Sequence, residues 1–485
     1  MATSPRTLRT ELLAALVVAL ALIPEAIAFS LIAGVDPKVG LYASFTMAVA
    51  IAFTGGRPAM ISAATGAMAL VIVPLVRDHG LEYLLAATIL AGMIQVALGL
   101  LGIARLMRFI PRSVMTGFVN ALAILIFLSQ MPYLTGVSWL VYLLVGAGLA
   151  IMFLLPRVTT VVPAPLIAIV VLTLVTVGFG LGVPTVGDQG TLPDSIPVLG
   201  IPSVPFALDT LLIILPFSIS LAAVGLIESL LTAQLVDDIT YTRSDKSREA
   251  RGQGIANVVT GFFGGMAGCA MIGQTMINVK VAGARTRLST FAAGVMLLAL
   301  VVGLGNLVAI IPMAALVAVM MLVAFSTFNW HSVAPSTLRR MPRSETLVML
   351  TTVLITVLTD NLALGVSAGV IVAMVFFARR VSHLVDVTGV LSEDGRTKTY
   401  VVTGEIFFAS DRDLVDSFDY ANDPANVVID LRRAHIWDAA AVAALDAIEM
   451  RYADRARETD LDIFGLNARS ERLHTHLSGR MGSAH

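Results

Sequence analysis

The chain has 485 residues, of which 57% are apolar and only 13% are charged, and its net charge is −1. This composition, with a mean hydropathy of +0.87, excludes an ordinary soluble enzyme and predicts a protein embedded in a lipid bilayer. The single cysteine, Cys269, excludes an internal disulfide and a multi-cysteine metal site, and the seven histidines form no HExxH pair. We therefore expect no cofactor, no enzymatic activity and no nucleic-acid partner.

The first apolar stretch runs from Leu12 to Ala33. Two arginines precede it, and Ala26-Ile27-Ala28 resembles a signal-peptide cleavage site. However, the stretch is about 20 residues long, continues past that site and is followed by many others, so we interpret it as a transmembrane helix. Similar windows recur as far as Phe377 and predict about 14 spans in an α-helical polytopic membrane protein.

Basic residues are concentrated in alternate connections between the spans, as expected for short cytoplasmic loops. The intervening loops are nearly free of charge, including Val183–Pro205, whose only charged residues are Asp188 and Asp194. Both termini are therefore predicted to face the cytosol of a bacterium, with the spans in its inner membrane. The basic residues that support this orientation are Arg57, Arg105, Arg108, Arg112, Arg157, Arg243, Lys246, Arg248, Arg251, Lys280, Arg285, Arg287, Arg339, Arg340, Arg343, Arg379 and Arg380.

The composition changes after Arg380, because residues 381–485 carry 18 acidic and 11 basic side chains. We predict a transport domain over residues 1–380, a linker over 381–395 and a cytosolic domain over 396–485. Alternating strand and helix patterns in this last part predict a small α/β domain. Its expected elements are a strand Thr399–Phe408, a helix near Arg412–Tyr420, a strand Asn426–Leu431, a helix Ala439–Ala456 and a strand Asp460–Phe464.

Two pairs of unusual features recur at a similar distance along the transport domain. The glycine pairs that include Gly56 and Gly265 are 209 positions apart, and two acidic residues inside predicted spans, Glu25 and Glu228, are 203 apart. An inverted repeat of seven plus seven spans, with a period of about 205 residues, accounts for both pairs. We place repeat one at about 10–180 and repeat two at about 207–380.

Glycine clusters inside membrane spans indicate either close helix packing or non-helical backbone. Their matched positions favour two broken helices, whose half-helix N-termini present unpaired N–H groups and positive dipole ends that suit an anion. An ionised carboxylate at this depth costs at least ~2.5 kcal/mol, so Glu25 and Glu228 are either hydrogen-bonded structural acids or proton carriers. We favour proton carriers, and therefore coupling of transport to protons.

Several separated motifs resemble the sulfate permease (SulP) family, to which the eukaryotic sulfate/anion exchangers and prestin belong. The resemblance covers almost the whole chain. The motifs that carry it are Ile23-Pro-Glu-Ala-Ile-Ala-Phe29, Val39-Gly-Leu-Tyr42, Glu228-Ser-Leu-Leu-Thr232, Met271-Ile-Gly-Gln-Thr-Met-Ile-Asn-Val-Lys280 and Arg285-Thr-Arg287.

The resemblance implies a fourteen-span fold shared with uracil and xanthine permeases. That fold has a core domain of spans 1–4 and 8–11 and a gate domain of spans 5–7 and 12–14, and it works by elevator-like alternating access. Family substrates are small anions such as sulfate, bicarbonate, chloride and C4-dicarboxylates like fumarate, and relatives are often homodimers. The C-terminal part resembles a STAS domain, but Ala439 follows Asp438 where related domains carry a phosphorylatable serine, so we expect no switching by that serine.

The resemblance also assigns site residues. Glu25 and Phe29 are expected to line the anion pocket, and Glu228 and Thr232 to hold a coupling ion, a proton rather than sodium. Many animal members carry an arginine near the position of Gln274, and its absence here favours symport over chloride exchange. The starts of the two half-helices, also expected to contact the substrate, are Ala59, Met60, Ile61 and Ser62 and then Met271, Ile272, Gly273, Gln274 and Thr275.

Two other classes of protein compete with an anion transporter. A nucleobase permease of the same fold needs a polar or acidic partner in span ten for the acid of span eight, and Gln274 is the one candidate. A membrane-anchored STAS signalling protein would have no use for matched acids and glycine clusters. The choice among sulfate, bicarbonate and dicarboxylate, and the oligomeric state, stay open at this level.

Overall fold

A computed structural model describes residues 5–102, 110–157, 163–359, 361–382, 385–454 and 460–478. The chain divides into two compact units, Met1–Val370 and Ile371–His485. Arg105 and Arg108, which were used to predict the orientation, lie outside the described residues. The side chain of Arg57, from the same set, is buried and forms an ion pair with Asp237 at 3.0 Å.

The first unit is helical apart from two three-residue strands, β1 (Ser62–Ala64) and β2 (Gly268–Ala270). A π-helix at Ile277–Val281 directly continues one of the helices, α10. The helices that precede the sheet of the second unit are α1 Pro5–Ala33, α2 Pro37–Thr54, α3 Gly66–His79, α4 Leu81–Leu100, α5 Arg112–Leu128, α6 Trp139–Leu154, α7 Ala164–Gly178, α8 Leu208–Thr240, α9 Lys246–Phe262, α10 Ile272–Met276, α11 Arg287–Gly303, α12 Gly305–Ala309, α13 Met313–Thr327, α14 Trp330–Val333, α15 Pro335–Arg340, α16 Arg343–Thr359 and α17 Leu362–Ser382, and the last of these continues past Val370.

Within the described residues, seven helical segments are long and apolar enough to cross a membrane, and three shorter apolar helices accompany them. The short ones are Ala164–Gly178, Arg287–Gly303 and Met313–Thr327. This supports the multi-pass prediction, whereas the count of fourteen spans stays a prediction.

Helices α4 and α9 approach closely because each carries two glycines seven positions apart. A Cβ atom added to Gly92 would lie 2.5 Å from the carbonyl oxygen of Gly254, and one added to Gly254 would lie 2.5 Å from that of Gly92. Such reciprocal contacts between backbones are typical of small residues at membrane helix interfaces.

The predicted glycine clusters serve both of the purposes considered above. A Cβ on Gly56 would overlap the backbone of Asp245 and lie 2.6 Å from the amide of Glu249, and a Cβ on Gly265 would lie 2.8 Å from Cα of Ala43. Each cluster is also followed by extended backbone, β1 or β2. Close packing and helix interruption therefore occur together.

The second unit is built on a four-stranded sheet with the order β3-β4-β5-β6, in which β3 is antiparallel to β4 and the other neighbours are parallel. The predicted alternation is confirmed for the described residues, but β3 lies within the predicted linker. Its residues are mostly exposed, so they lack the apolar alternation that would have revealed a strand. The elements are β3 Asp386–Leu391, β4 Thr397–Ile406, α18 Asp411–Asp416, β5 Asn426–Ile436, α19 Ala439–Ala453, β6 Asp460–Phe464 and α20 Ala468–Leu477.

The carboxylate of Asp423 is fully enclosed beside the core of this sheet domain. It accepts hydrogen bonds from the hydroxyls of Tyr400 (2.8 Å) and Tyr452 (2.6 Å), and it pairs with Nζ of Lys398 at 2.6 Å. Burial and the hydrogen bond to Asp423 raise the pKa of Tyr452 above its ordinary value. Because a buried carboxylate needs partners, these three donors make Asp423 a structural anchor.

Candidate functional site

The two short strands pair with each other in the middle of the first unit. They run antiparallel, with Ser62 opposite Ala270 and Ala64 opposite Gly268. Each strand leads directly into a helix, β1 into α3 and β2 into α10, and all six strand residues are buried. The backbone is therefore interrupted at two equivalent places, as the paired glycine clusters predicted.

The first half-helix begins at Gly66, and the prediction that Ala59, Met60, Ile61 and Ser62 form its start is wrong. Ala59 has a left-handed backbone (φ 62°), and the following residues are extended. Thr65 is the N-cap, and its hydroxyl accepts a hydrogen bond from the amide of Met68 at 3.4 Å. The helix begins later because the backbone from Ser62 to Ala64 is hydrogen-bonded to β2 instead.

The second half-helix begins where it was predicted. Helix α10 starts at Ile272, and the preceding Met271 provides no side-chain cap. Its first N–H groups consequently lack the side-chain acceptor that Thr65 supplies to α3. The helix passes into the π-helix after one turn, which keeps α10 itself short.

Several of the predicted substrate-contacting residues instead hold the two interruptions together. The amide of Ile61 donates to Oγ1 of Thr275 at 3.0 Å, and the amide of Met271 donates to the carbonyl of Ile61 at 2.8 Å. The carbonyl of Ala59 accepts from Nδ2 of Asn278 at 2.8 Å, and that of Met60 accepts from the hydroxyl of Thr290 at 3.1 Å. We call the two paired strands, together with the residues that hydrogen-bond to them and to the segment before β1, the frame of the site.

A polar face of α9 supports this frame and was missed by the sequence analysis. Oε2 of Glu249 accepts from the amides of Gly56 (2.7 Å) and Arg57 (2.9 Å), and Nε2 of Gln253 donates to the hydroxyl of Ser62 at 2.6 Å. Asn257 binds both backbone groups of Gly268, at 2.8 and 3.0 Å, and donates to Oε1 of Gln95 at 2.9 Å.

The sequence did contain a signal for this face. Glu249, Gln253 and Asn257 recur every four residues, which places them on one side of a helix. All three are fully buried. Because a buried polar side chain is costly unless it is hydrogen-bonded, such a row on one face of a helix indicates polar partners packed against that face.

One side of the site is open at the first turn of α10. Gly273 is exposed, and a Cβ added there would meet no atom within 4 Å. Oε1 of Gln274 is buried and has no hydrogen-bond partner among the described residues. The half-buried Glu25 on α1 is a neighbour of the Gln274 side chain. Glu25, Gly273 and Gln274 therefore surround the accessible part of the site.

The start of the other half-helix is covered. A Cβ on Gly66 would lie 2.9 Å from the ring of Phe29 and 3.1 Å from Cδ1 of Ile126, so both side chains pack directly over the first turn of α3. Phe29 is almost fully buried. The start of α3 is therefore less accessible than that of α10.

Glu228 occupies a different environment from Glu25. It is 8% exposed, and its carboxylate accepts a hydrogen bond from the thiol of Cys269 in β2 at 2.9 Å. The Cys269 sulfur is also 3.1 Å from the hydroxyl of Thr65. The hydroxyl of Thr232 donates to the main-chain carbonyl of Glu228 at 2.8 Å. The chain of contacts thus links Glu228 to the N-cap of α3.

Comparison with known proteins is consistent with these features. The model of the family described as "Sulfate permease family" matches residues 8–142 and 135–352. The relative "Putative sulfate transporter YbaR" of Bacillus subtilis is 56% identical over 466 residues, which cover 96% of each chain.

Two solved structures share the fold. The transmembrane domain of a cyanobacterial bicarbonate transporter, BicA, superposes with a TM-score of 0.68 at 26% identity and covers 75% of this chain and 98% of its own. The murine anion transporter Slc26a9, in its inward-facing state, has a TM-score of 0.82 and covers 98% of this chain and 88% of its own. Because its identity is 16%, this second match is evidence for the fold alone.

Proposed function

This chain belongs to the sulfate permease family, and we propose that it is a secondary transporter that carries a small anion together with a proton. The substrate class is sulfate, bicarbonate or a C4-dicarboxylate such as fumarate, and the first two are the anions named for its relatives. Family membership favours this function over a nucleobase permease and over a membrane anchor for signalling.

The observation that carries the proposal is the open first turn of α10 beside a carboxyl group. Uncapped N–H groups at a helix start attract an anion, and the exposed Gly273 allows it to approach the backbone closely. The side-chain amide nitrogen of the neighbouring Gln274 is a further hydrogen-bond donor. The residues that we propose to contact the anion directly are Glu25, Ile272, Gly273 and Gln274.

Glu25 is the proposed proton carrier. An anion at the α10 start is attracted by the helix end but repelled by an ionised Glu25, so protonation of Glu25 favours anion binding and the two are coupled. Glu228 is less suited to this role, because its carboxylate is turned towards Cys269 within the frame. We retain Glu228 and Thr232 as candidates for a second ion-binding position.

Elevator-like movement of the frame is the proposed mechanism. The close packing of α4 on α9, the pairing of β1 with β2 and the polar face of α9 join these elements with short, buried contacts. Such a unit is suited to move as one body, which is how the resemblance describes the core domain. The seven-plus-seven repeat, fourteen spans and the division into core and gate belong to the same proposal.

The proposed location is the inner membrane of a bacterium, with both termini in the cytosol. The sheet domain is proposed to be a STAS domain that regulates transport or assembly, and a homodimer is the proposed assembly. In the sheet domain, Oδ2 of Asp438 accepts from the amide of Phe408 at 2.9 Å and Oδ1 caps α19. Because Ala439 follows Asp438, this position has no hydroxyl to phosphorylate, and we propose that no serine switch operates here.

Uptake by purified protein in liposomes tests the function. Labelled sulfate, bicarbonate and fumarate are supplied one at a time, with and without an inward proton gradient, and each is then challenged with the other two. We expect saturable uptake of at least one anion, accelerated by the gradient. Uptake of uracil or xanthine with no anion uptake would contradict the proposal.

A matched pair of variants tests the coupling. Glu25→Gln imitates the protonated acid, so it should retain anion binding but lose the difference between initial rates at external pH 5 and pH 8. Glu228→Gln makes the same substitution at the other glutamate. This variant should keep the difference between the initial rates at pH 5 and pH 8. A Glu25→Gln protein with the full wild-type ratio between the two rates would transfer the coupling role to Glu228.

A further inference from the structure

A second cavity lies between α5, α6 and α13, and none of the residues that line it belongs to the anion site. Its volume is about 390 Å³, within the usual range of small-molecule sites. Every residue that lines it is apolar or aromatic, including Ala123, Phe127, Phe153, Met321, Ala324 and Trp330. A polar ligand would lose its hydrogen bonds to water there without replacement.

The turn that follows α13 holds the wall of this cavity in place. The indole N–H of Trp330 donates to the carbonyl of Phe325 at 2.9 Å, so the one polar atom of that side chain is already satisfied. The ring of Phe325 contacts those of Trp330 and Phe153, with centroids 4.9 and 5.6 Å apart. These contacts give a fixed aromatic surface that faces the cavity.

The turn that carries Trp330 is fixed from the opposite side. Oδ1 of the buried Asn120 on α5 accepts from the amide of Asn329 at 2.8 Å, and its Nδ2 donates to the hydroxyl of Ser332 at 2.9 Å. Because these two bonds tie the turn to α5, the cavity is part of the folded structure and does not depend on mobile side chains.

A positive charge lies one helical turn beyond a residue of the cavity wall. The exposed Arg157 donates from Nη1 to the carbonyl of Phe153 at 2.8 Å, which holds the guanidinium group next to a residue of the cavity wall. Phe127 and Phe153 are both nearly half-exposed, so the cavity opens on the apolar face that membrane helices present to lipid. The site therefore combines an apolar cavity with a cation at its rim.

We propose that this cavity binds one acyl chain of an anionic phospholipid, whose phosphate pairs with Arg157. Lipid is the surrounding solvent of these helices, and a basic residue beside an apolar cavity is the arrangement expected for an anionic headgroup. The chain packs against Trp330 and Phe325 and fills the space between α5 and α13. This inference concerns lipid binding and does not rest on the proposed transport activity.

Fluorescence quenching by brominated lipids tests the proposal, because Trp330 forms part of the wall. The full chain is reconstituted in phosphatidylcholine vesicles that contain a small fraction of phosphatidylglycerol or phosphatidylcholine with brominated acyl chains. Quenching of Trp330 is obtained as the difference between the unmodified protein and Trp330→Phe. The exposed Trp139, at the start of α6, reports contact with bulk lipid and serves as the internal reference.

We expect brominated phosphatidylglycerol to quench Trp330 at least twofold more than brominated phosphatidylcholine, with no such preference at Trp139. Arg157→Gln, an exposed change that does not alter packing, should remove the preference. Ala324→Leu fills the cavity and should reduce quenching by both lipids. Equal quenching by the two lipids in the unmodified protein, or quenching that Ala324→Leu leaves unchanged, would overturn the proposal.

Discussion

The glycine contact between α4 and α9 supplies the sharpest test of how the frame is built. In Gly92→Ala the new Cβ would lie 2.5 Å from the carbonyl oxygen of Gly254 and 2.7 Å from the amide nitrogen of Val258. Both neighbours are backbone atoms, which cannot rotate away as a side chain can. The two helices must therefore separate.

The magnitude follows from two opposing effects. Overpacking of a close contact costs about 1–3 kcal/mol, whereas replacing glycine by alanine inside a helix contributes about 0.5–1 kcal/mol of stability. The middle of each range gives an expected net loss of about 1 kcal/mol for Gly92→Ala. Gly254→Ala should behave alike because the contact is reciprocal, and the double variant should lose less than the sum, since the helices are already apart after the first change.

Gly146→Ala on α6 is the matched control. It is also a helical glycine, but a Cβ there meets no atom within 4 Å. Only the higher helix propensity of alanine should therefore change the stability, which should equal or exceed that of the unmodified protein. Resistance to heating in detergent, measured as the monodisperse fraction that remains, should be lower for Gly92→Ala than for the unmodified protein, and equal or higher for Gly146→Ala. Equal resistance of these two variants would refute the reasoning.

Four further outcomes are expected. Asp423→Ala removes the acceptor of three donors and should destabilise the sheet domain by about 3–5 kcal/mol, seen as faster hydrogen exchange in β5. Asn257→Ala leaves the N–H and C=O groups of Gly268 without their hydrogen-bond partners, so it should lower the free energy of unfolding by about 2–4 kcal/mol and reduce uptake. Unchanged thermal resistance would contradict the role of Asn257 in supporting β2. The guanidinium group of Arg432 is hydrogen-bonded to Asp430 and holds the pKa of that carboxyl below its ordinary value. The carboxylate therefore stabilises the fold at pH values above its unfolded-state pKa, and this stabilisation is lost as the pH falls through the folded-state pKa. Asp430→Asn should reduce the loss of stability at acid pH, as measured by hydrogen exchange. A cysteine at Asp188 should react with an external reagent, and cysteines within residues 243–251 only after permeabilisation, whereas the reverse would invert the proposed orientation.

Local properties of the sequence determined the class of the protein and its general plan. Runs of apolar residues long enough to cross a bilayer predicted a multi-pass protein, because hydropathy depends on composition and not on which helices touch. The paired glycine clusters located both interruptions, and the alternating pattern after Arg380 predicted the α/β domain. The start of α10 agrees with the half-helix start that the family resemblance implied at Met271 to Thr275.

The tertiary structure determined the backbone conformation of those two interruptions. The run from Ser62 to Gly66 consists of small residues with no firm preference, and its first part becomes a strand because β2, some two hundred residues away, supplies the hydrogen-bond partners. The start of α3 therefore shifts to Gly66, and most of the residues predicted to bind the anion there become part of the frame instead. That Gly273 remains exposed while the neighbouring Gln274 is buried depends on contacts between distant segments, and no local pattern in the sequence records such contacts.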